Sequence, residues 1–527
     1  MEGADRRSRE GRWRAAQNQA EGGVLIVTVD LASLTSTATP ELSAHEQTLL
    51  GKLRTQLDTA RVANAKKYRF YEGVHKAQNL DIAVPPHLAD LDVHIGIPGI
   101  VVDVLAERIE WDGWTSTADG GDLYGLDEVY RDNAIDVEQA RNTVDSLICG
   151  VGFVAVGTGR PENGEPAVLV TAESPMEATT LWDPRRRVVS AGLVQRRDPL
   201  SPTTITAEVL YLPNSTVQLA RGEDGKLTVT RDDHNLGTVP LVPFPNRERP
   251  SDIRGRSEIT APIRYYTEAV GRTMLGMEIN REFYTAPQRY GLGVDPEQFG
   301  IKDDSAPGEV LRQQWKVAMS RMNFIPGPEN PGEPMPQVGQ FTPAPPTPYI
   351  DQVKHYMQHV SAEGAIPWNY LGFQTDNPPS ADAVRVMESR LIKRALLRQR
   401  MWTRAWRQVA LLALLHTNPG FDRSLIANIE PNWLDPTTPT PAAQADATTK
   451  LVAAQILPAD STVTRRRVGL SQSEQRQLDV DRRAATTSTL VDKLLAQPPA
   501  TVPAPPAGTG EQAAQQDQAP ADGQRAA

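Results

Sequence analysis

One unusually long helical segment, from Ser380 to His416, constrains the fold of this chain more than any other feature. Ser380 is a good N-cap residue, and Asp382 places negative charge near the positive end of the helix dipole. Apolar side chains then recur at steps of three and four residues along one face, which predicts an amphipathic α-helix. These positions are Val384, Met387, Leu391, Ala395, Met401, Ala405, Val409, Leu412 and Leu415. Such a helix spans about 50 Å at about 1.5 Å per residue, so the fold must accommodate a rod much longer than an ordinary globular helix.

The other faces of this segment are basic. The cationic residues are Arg385, Arg390, Lys393, Arg394, Arg398, Arg400, Arg404 and Arg407. One interpretation is that they contact phosphate groups. The other is that they are solvated or paired with carboxylates of an adjacent subunit, which is the more usual outcome for charges on a helix surface and the one we favour.

Apolar periodicity predicts two shorter helices upstream, at Ser257 to Thr285 and at Tyr349 to Ala362. The first carries small residues that lower helix propensity but let a neighbouring helix approach closely, namely Ala269, Gly271, Thr273 and Gly276. On the second, His355, His359 and Glu363 share one face and could in principle ligate a metal ion. The zincin pattern H-E-x-x-H is absent, so we expect an exposed histidine face and no metal site.

The segment between these two helices is too rich in proline to be helical. Prolines recur from Pro326 through Pro348, which leaves room only for short strands such as Arg289 to Val294 and Gln337 to Phe341. We expect a small β-rich module here, with a disordered linker as the alternative.

A short aromatic loop joins the second of these helices to the long one. The helix stops at Gly364, and Trp368, Tyr370 and Phe373 follow within a few residues. Two consecutive prolines then precede the Ser380 cap. The loop has no Lys or Arg, so contact with a polyanion here would be weak and suited to sliding.

Outside this region the chain divides into helical and extended parts. Helices are predicted at Leu42 to Phe70, within Asp90 to Trp111 and at Leu126 to Leu147, whereas alternating β-branched segments begin at Gly150. After Pro431 short amphipathic helices return. The pattern is therefore typical of an α+β protein.

The ordered series of segments carries a family resemblance. PLVPFPN, a helix, the proline-rich insertion, a second helix, IPWNYLGF and NPPSADAVRVMESRLIKRALLRQRMWTRAWRQV follow one another in that order. The series resembles the portal proteins of tailed bacteriophages, specifically the SPP1 gp6-like group of actinobacterial phages. YRFYEGVHKAQNLDIAVPPHL is similar to the opening signature of the same group, and the likeness covers roughly Leu42 to Pro431.

The resemblance implies an α+β portal fold, in which the number of strands in the proline-rich region stays open. The implied regions are a flexible N-terminal extension (1–40), a wing that is helical and then β-rich (41–250), a first stem helix (251–285), a small β-rich clip (286–347), a second stem helix (348–364), a tunnel loop (365–379), a long wing helix with its exit (380–430), a C-terminal helical crown (431–497) and a disordered tail (498–527).

The same resemblance implies a ring, usually of twelve copies, at one capsid vertex, through which double-stranded DNA is packaged and ejected without sequence specificity. The implied partners are the terminase large subunit, head-completion and neck proteins, and the major capsid and scaffolding proteins. The protein would be a virion component assembled in the host cytoplasm, with no membrane contact. The implied DNA-facing residues of the tunnel loop are Trp368, Asn369, Tyr370, Gln374, Thr375, Asp376 and Asn377.

The net charge favours passage of DNA over its capture. The chain has 55 Lys and Arg residues against 65 Asp and Glu residues, a formal net charge of -10. Neutralisation of phosphates supplies most non-specific affinity for DNA, so a protein that grips DNA tightly should be basic. A conduit instead benefits from a weakly attractive or repulsive wall.

No catalytic or cofactor-binding set can be assembled from the sequence. The one cysteine, Cys149, lies in the apolar stretch LICGVGF, so we expect it to be buried, in a protein that folds in a reducing cytoplasm. No P-loop is present, and the adjacent acids Asp232–Asp233 and Asp303–Asp304 lie in polar, turn-like runs. We therefore expect no enzyme activity, cofactor or metal. The alternatives are a non-portal head-tail adaptor or minor capsid protein without a channel, and a metal-dependent DNA-processing enzyme.

Overall fold

The computed structural model describes residues 42–75, 93–117, 121–201, 203–221, 227–285, 289–292, 337–340, 342, 344–373, 380–437 and 441–495. The chain divides into two compact units, Met1–Thr438 and Pro439–Ala527. The first combines helices with antiparallel sheets, and the described part of the second is helical, so the predicted α+β class is confirmed. The predicted N-terminal extension (1–40) and tail (498–527) lie outside the described residues.

Four helices open the first unit. They are α1 (Ala44–Tyr71), α2 (Ile97–Ala106), α3 (Leu126–Asp132) and α4 (Ile135–Cys149). Ser43 and Glu46 form a capping box at the start of α1, because each side chain bonds to the other's backbone N–H. The single helix predicted over residues 126–147 is two, since Ala134 has a left-handed φ of 45° between them.

Two antiparallel sheets follow. A three-stranded sheet has the order β3 (Val168–Glu173), β2 (Val151–Thr158), β9 (Leu241–Pro245). A five-stranded meander runs in chain order through β4 (Ala178–Asp183), β5 (Val188–Arg197), β6 (Ile205–Tyr211), β7 (Thr216–Arg221) and β8 (Leu227–Asp232). Leu53 and Leu57 of α1 pack in one cluster with Leu193 and Leu210 of the meander, so this helix covers one face of the meander.

The long helix is confirmed as α7 (Ala381–Thr417), 37 residues, with the Ser380 hydroxyl accepting from the Ala383 N–H as predicted. Its second half buries most of its large apolar side chains. Trp402 and Trp406 are each 1% exposed, and Trp406 packs against Trp111 at 4.7 Å between ring centroids. Trp111 begins strand β1 (Trp111–Ser116), which pairs with β12 (Ile429–Trp433). The largest core cluster is thus built around this half of α7.

The first half of α7 has a different surface. Leu391 and Ala395 are buried, but the predicted core residue Met387 is 39% exposed, and Leu396 and Leu397 are exposed as well. The apolar periodicity therefore identifies a helix correctly without identifying which of its apolar residues are covered.

The helix pair α5 (Ala261–Thr285) and α6 (Thr347–Gly364) packs through Ile263, Val270 and Val360. Of the four small residues predicted to allow close approach, Gly276 does so, since a Cβ built on it would lie 3.3 Å from the Tyr349 ring.

Helix α5 begins at Ala261, four residues after the predicted start, with Pro262 in its first turn. Between the two helices the structure describes β10 (Arg289–Leu292), β11 (Gln337–Gln340), residue 342 and residues 344–346. The two strands pair antiparallel, as expected for a β-rich module.

The second unit contains α8 (Pro441–Ala453), α9 (Thr462–Val468) and α10 (Gln472–Leu495). Gly469, with a φ of 97°, ends α9 as a left-handed cap and separates it from α10. The boundary between the units, at Thr438, lies after the predicted start of the crown at 431, because β12 pairs with β1 in the first unit.

Candidate DNA-facing loop and its supports

The loop between α6 and α7 begins with a fixed reversal of the chain. Ala365 has a left-handed φ of 54°, and its N–H and that of Ile366 both donate to the Ser361 carbonyl. The Ser361 hydroxyl in turn donates to the Ile366 carbonyl at 2.7 Å. These bonds satisfy groups that a helix end otherwise leaves open, so the direction in which the loop leaves α6 is set locally.

The aromatic residues of the loop pack at its base. Trp368 opens a short 3₁₀ turn, and its ring stacks on Phe373 at 4.1 Å with an interplanar angle of 18°. Both rings lie against an apolar cluster that includes Val101 of α2 and Leu371 of the turn itself. Trp368 is therefore half-buried and packs at the base of the loop.

Tyr370 belongs to a three-residue polar cluster, which we call the loop clasp: Arg108, Tyr370 and Glu388. The Tyr370 hydroxyl donates to Glu388 Oε1 at 2.6 Å. Arg108 Nη2 donates to the Tyr370 hydroxyl oxygen at 2.8 Å and to Glu388 Oε1 at 3.1 Å. Burial, with the bond to Glu388, raises the pKa of Tyr370, so the phenol remains protonated and a donor.

Of the seven residues predicted to face DNA, the structure describes Trp368, Asn369 and Tyr370. Asn369 is exposed, whereas the other two make the contacts given above. Gln374, Thr375, Asp376 and Asn377 lie outside the described residues. The sequence analysis did not identify Arg108 or Glu388, since neither lies in the loop. Arg108 is 262 positions from Tyr370 in the chain and Glu388 is 18 positions from it, and no local sequence pattern links residues so far apart.

Several of the basic residues of α7 are paired within the chain. Arg394 and Arg398 both bind Glu258, and Arg407 binds Glu430 at 2.7 Å. The predicted pairing with carboxylates of an adjacent subunit is thus wrong for these three, because their partners lie in the same chain. Arg398 is only 3% exposed and cannot reach a phosphate.

Glu258 is the centre of this pairing and lies just before α5. Its carboxylate, 1% exposed, accepts from Arg398 Nη2 at 2.5 Å, from Arg394 and from Asn246 Nδ2 at 2.9 Å. Burial alone would raise the pKa of Glu258, but the charges of Arg394 and Arg398 outweigh it and hold that pKa below its ordinary value. The carboxylate therefore stays ionised and ties α7 to the start of α5.

The histidine face of α6 does not assemble a three-ligand set. His355 and His359 are exposed, with their Nε2 atoms 3.3 Å apart, whereas Glu363 accepts from the Thr260 hydroxyl at 3.1 Å. Over the described ranges, no group of three His, Cys, Asp or Glu side chains is placed to hold a metal ion. Among the helices described, none combines the length and the apolar character needed to cross a bilayer.

Comparison with known families decides the assignment. Residues 52–467 match the family described as "Phage portal protein, SPP1 Gp6-like". The chain belongs to this family of phage portal proteins. The family resemblance inferred from the sequence is thereby confirmed. Portal proteins are structural components of the virion.

Two relatives carry the name "Portal protein". The one from Mycobacterium phage D29 is 30% identical over 390 residues, covering 72% of this chain and 77% of the relative. The one from Mycobacterium phage L5 is 30% identical over 395 residues, covering 73% and 78%.

Two solved structures are also similar to this portal-family chain. "Neck of empty GTA particle computed with C6 symmetry" is 14% identical with a TM-score of 0.39, covering 71% of this chain and 88% of that one. "Neck of native GTA particle computed with C12 symmetry" is 13% identical with a TM-score of 0.40, covering 78% and 99%. Scores this low carry no argument about the present chain.

Proposed function

We propose that this chain assembles as a ring, of twelve copies as is usual in its family, at one vertex of a phage capsid. Double-stranded DNA passes through the ring during packaging and ejection. Family membership over residues 52–467 carries this proposal. The formal net charge of -10 supports it, because a wall that binds phosphates weakly lets DNA slide.

We assign the regions of the fold on the same basis. Residues 41–250 and α7 form the wing, α5 and α6 the stem, residues 286–347 the clip, 365–379 the tunnel loop and 431–497 the crown. The close packing of α5 on α6 supports their assignment as one paired stem. In the tunnel loop, exposed Asn369 and residues 374–377 are the candidates for DNA contact.

The partners follow from the same role. The terminase large subunit docks during packaging, head-completion and neck proteins dock afterwards, and the major capsid and scaffolding proteins surround the ring during assembly in the host cytoplasm. The portal itself has no catalytic activity, so the packaging motor is a separate protein.

Size-exclusion chromatography with light scattering, followed by negative-stain imaging, tests the ring. We expect closed rings with a central hole. A monodisperse monomer, also in the presence of scaffolding protein, would instead favour a head-tail adaptor or minor capsid protein without a channel. Cleavage of duplex DNA with added Mg²⁺ or Mn²⁺ would instead favour a metal-dependent DNA-processing enzyme.

The loop is tested by replacing Gln374, Thr375, Asp376 and Asn377 with Gly and Ser at unchanged length. We expect intact rings but a lower amount of DNA retained per particle. The control is the same replacement of residues 162–165, an exposed turn between β2 and β3 that, like the loop, has no Lys or Arg. Equal DNA content in the loop variant and the control would contradict the assignment, and loss of rings would show that these residues are structural.

A further inference from the structure

The loop clasp joins parts of the chain that are distant in sequence. Tyr370 lies in the 3₁₀ turn of the loop, Arg108 just beyond the end of α2, and Glu388 two turns into α7. The side chains of Arg108 and Glu388 are 10% and 8% exposed. Arg108 Nη1 also donates to the carbonyl of Pro436, which follows β12. Four segments therefore meet at one buried polar cluster.

Each member of the clasp depends on the others. Glu388 Oε1 accepts from both Tyr370 and Arg108, and the Tyr370 hydroxyl both donates and accepts. Loss of the phenol oxygen leaves Glu388 Oε1 with only the 3.1 Å contact to Arg108 Nη2, in a poorly solvated site. The stacked pair of Trp368 and Phe373 fills the apolar side of the same turn. Polar and apolar contacts thus hold residues 366–373 together.

We propose that Arg108, Tyr370 and Glu388 are positioning residues for the loop, and that Tyr370 does not itself contact DNA. The clasp fixes residues 366–373, which include exposed Asn369 and directly precede residues 374–379 in the chain. The expected effect on DNA retention rests on the proposed function. The expected effect of the clasp on the mobility of residues 366–373, which we call the mechanical part, concerns the protein alone. Removing the Tyr370 hydroxyl therefore weakens DNA retention only through the candidate contact residues, Asn369 and residues 374–377.

The mechanical part is tested on DNA-free full-length protein with Tyr370→Phe, by hydrogen exchange of peptides covering residues 366–373. We expect exchange to rise about tenfold or more, because a hydrogen bond to a charged group is worth at least the roughly 1.4 kcal/mol of one decade. Strands β6 and β7 should be unchanged. Tyr356→Phe is the matched control, since that hydroxyl bonds only to exposed Gln352 among the contacts described. Unchanged exchange at 366–373 would overturn the clasp.

The functional part is tested by combining Tyr370→Phe with a loop variant in which Asn369→Ser is added to the 374–377 replacement. If Tyr370 acts only through these contact residues, the combined variant retains as much DNA as the loop variant alone. Additive loss would show that Tyr370 contacts DNA directly and would overturn its positioning role. Glu388→Gln keeps an acceptor for the phenol, so it should restore part of the protection that Glu388→Ala loses. Failure of the 374–377 replacement to change DNA retention would sink the proposed function but leave the exchange result standing.

Discussion

At the residue scale, the most informative side chain is Glu258, a buried carboxylate between two arginines of α7. Taking such a charge out of water is costly, and here Arg394, Arg398 and Asn246 all supply hydrogen bonds to it. The cluster does not prove high stability. It does mean that loss of the Glu258 carboxylate leaves the buried guanidinium of Arg398 without its counter-charge.

We expect Glu258→Gln to lower the free energy of unfolding by about 3–5 kcal/mol, because the guanidinium of Arg398 would stay buried without a counter-charge. The matched control is Glu430→Gln, which removes an exposed partner of Arg407 and should cost less than about 1 kcal/mol. Urea denaturation followed by circular dichroism measures both. Equal losses of unfolding free energy in the two variants would contradict the burial of the Glu258 cluster.

His416 makes stability depend on pH. Its Nδ1 lies 3.2 Å from the Thr158 hydroxyl, and its Nε2 is buried without a hydrogen-bond partner among the described residues. Burial and then the neighbouring His234 lower its pKa, while Asp232 opposes them. The folded pKa is therefore below that of the unfolded chain, so the unfolded state takes up the proton first as pH falls.

We consequently expect stability to fall between about pH 7 and pH 5 more steeply in the wild type than in His416→Asn, which keeps an acceptor for Thr158. Denaturation midpoints at several pH values measure the two slopes. The difference between the two slopes reports His416 together with its coupling to His234, and parallel curves would refute the assignment.

At the element scale, α7 changes character along its length. Around Met387 it is exposed and cationic, whereas from Val409 to Leu415 nearly every side chain is covered by other elements. A helix that is apolar on all sides is buried, and one with a polar side faces solvent or a partner. The same helix thus serves as core at one end and as a surface at the other.

The α5–α6 pair depends on Gly276. Gly276→Leu should destabilise the protein by about 1–3 kcal/mol, because the added side chain meets the Tyr349 ring. Gly51→Ala in α1 is a control of opposite sign, since nothing lies within 4 Å of that position and Ala favours a helix by about 1 kcal/mol. Thermal unfolding of both variants measures whether each substitution lowers or raises the melting temperature. Stabilisation by Gly276→Leu would show that the two helices are not in close contact there.

At the scale of the whole molecule, the four hydrophobic clusters recorded for the described residues all lie in the first compact unit. Most of the burial that offsets the entropy of ordering the chain is therefore available without residues 439–527.

A chain ending at Thr438 should accordingly unfold cooperatively, with its melting temperature within about 2 °C of the corresponding transition in the full-length protein. Differential scanning calorimetry measures this. Aggregation of the shortened chain, or loss of a cooperative transition, would show that the first unit does not fold independently.

Much of the architecture follows from local pattern. The 3.6-residue period and the Ser380 cap predict α7, and alternation from Gly150 predicts the strands, because both signals depend only on neighbours in the chain. The split of residues 126–147 into two helices was missed, since it depends on one left-handed residue, Ala134, that is not a glycine.

The sequence by itself determined the length of α7, the α+β class and, through the order of its segments, the portal family. Only the tertiary structure decided which charges of α7 are buried and what holds the loop. Glu258 lies 136 and 140 residues from its two arginines, and Arg108 lies 262 residues from Tyr370. Periodicity reports which side of an element is apolar, whereas such pairs exist only once packing has brought distant elements together.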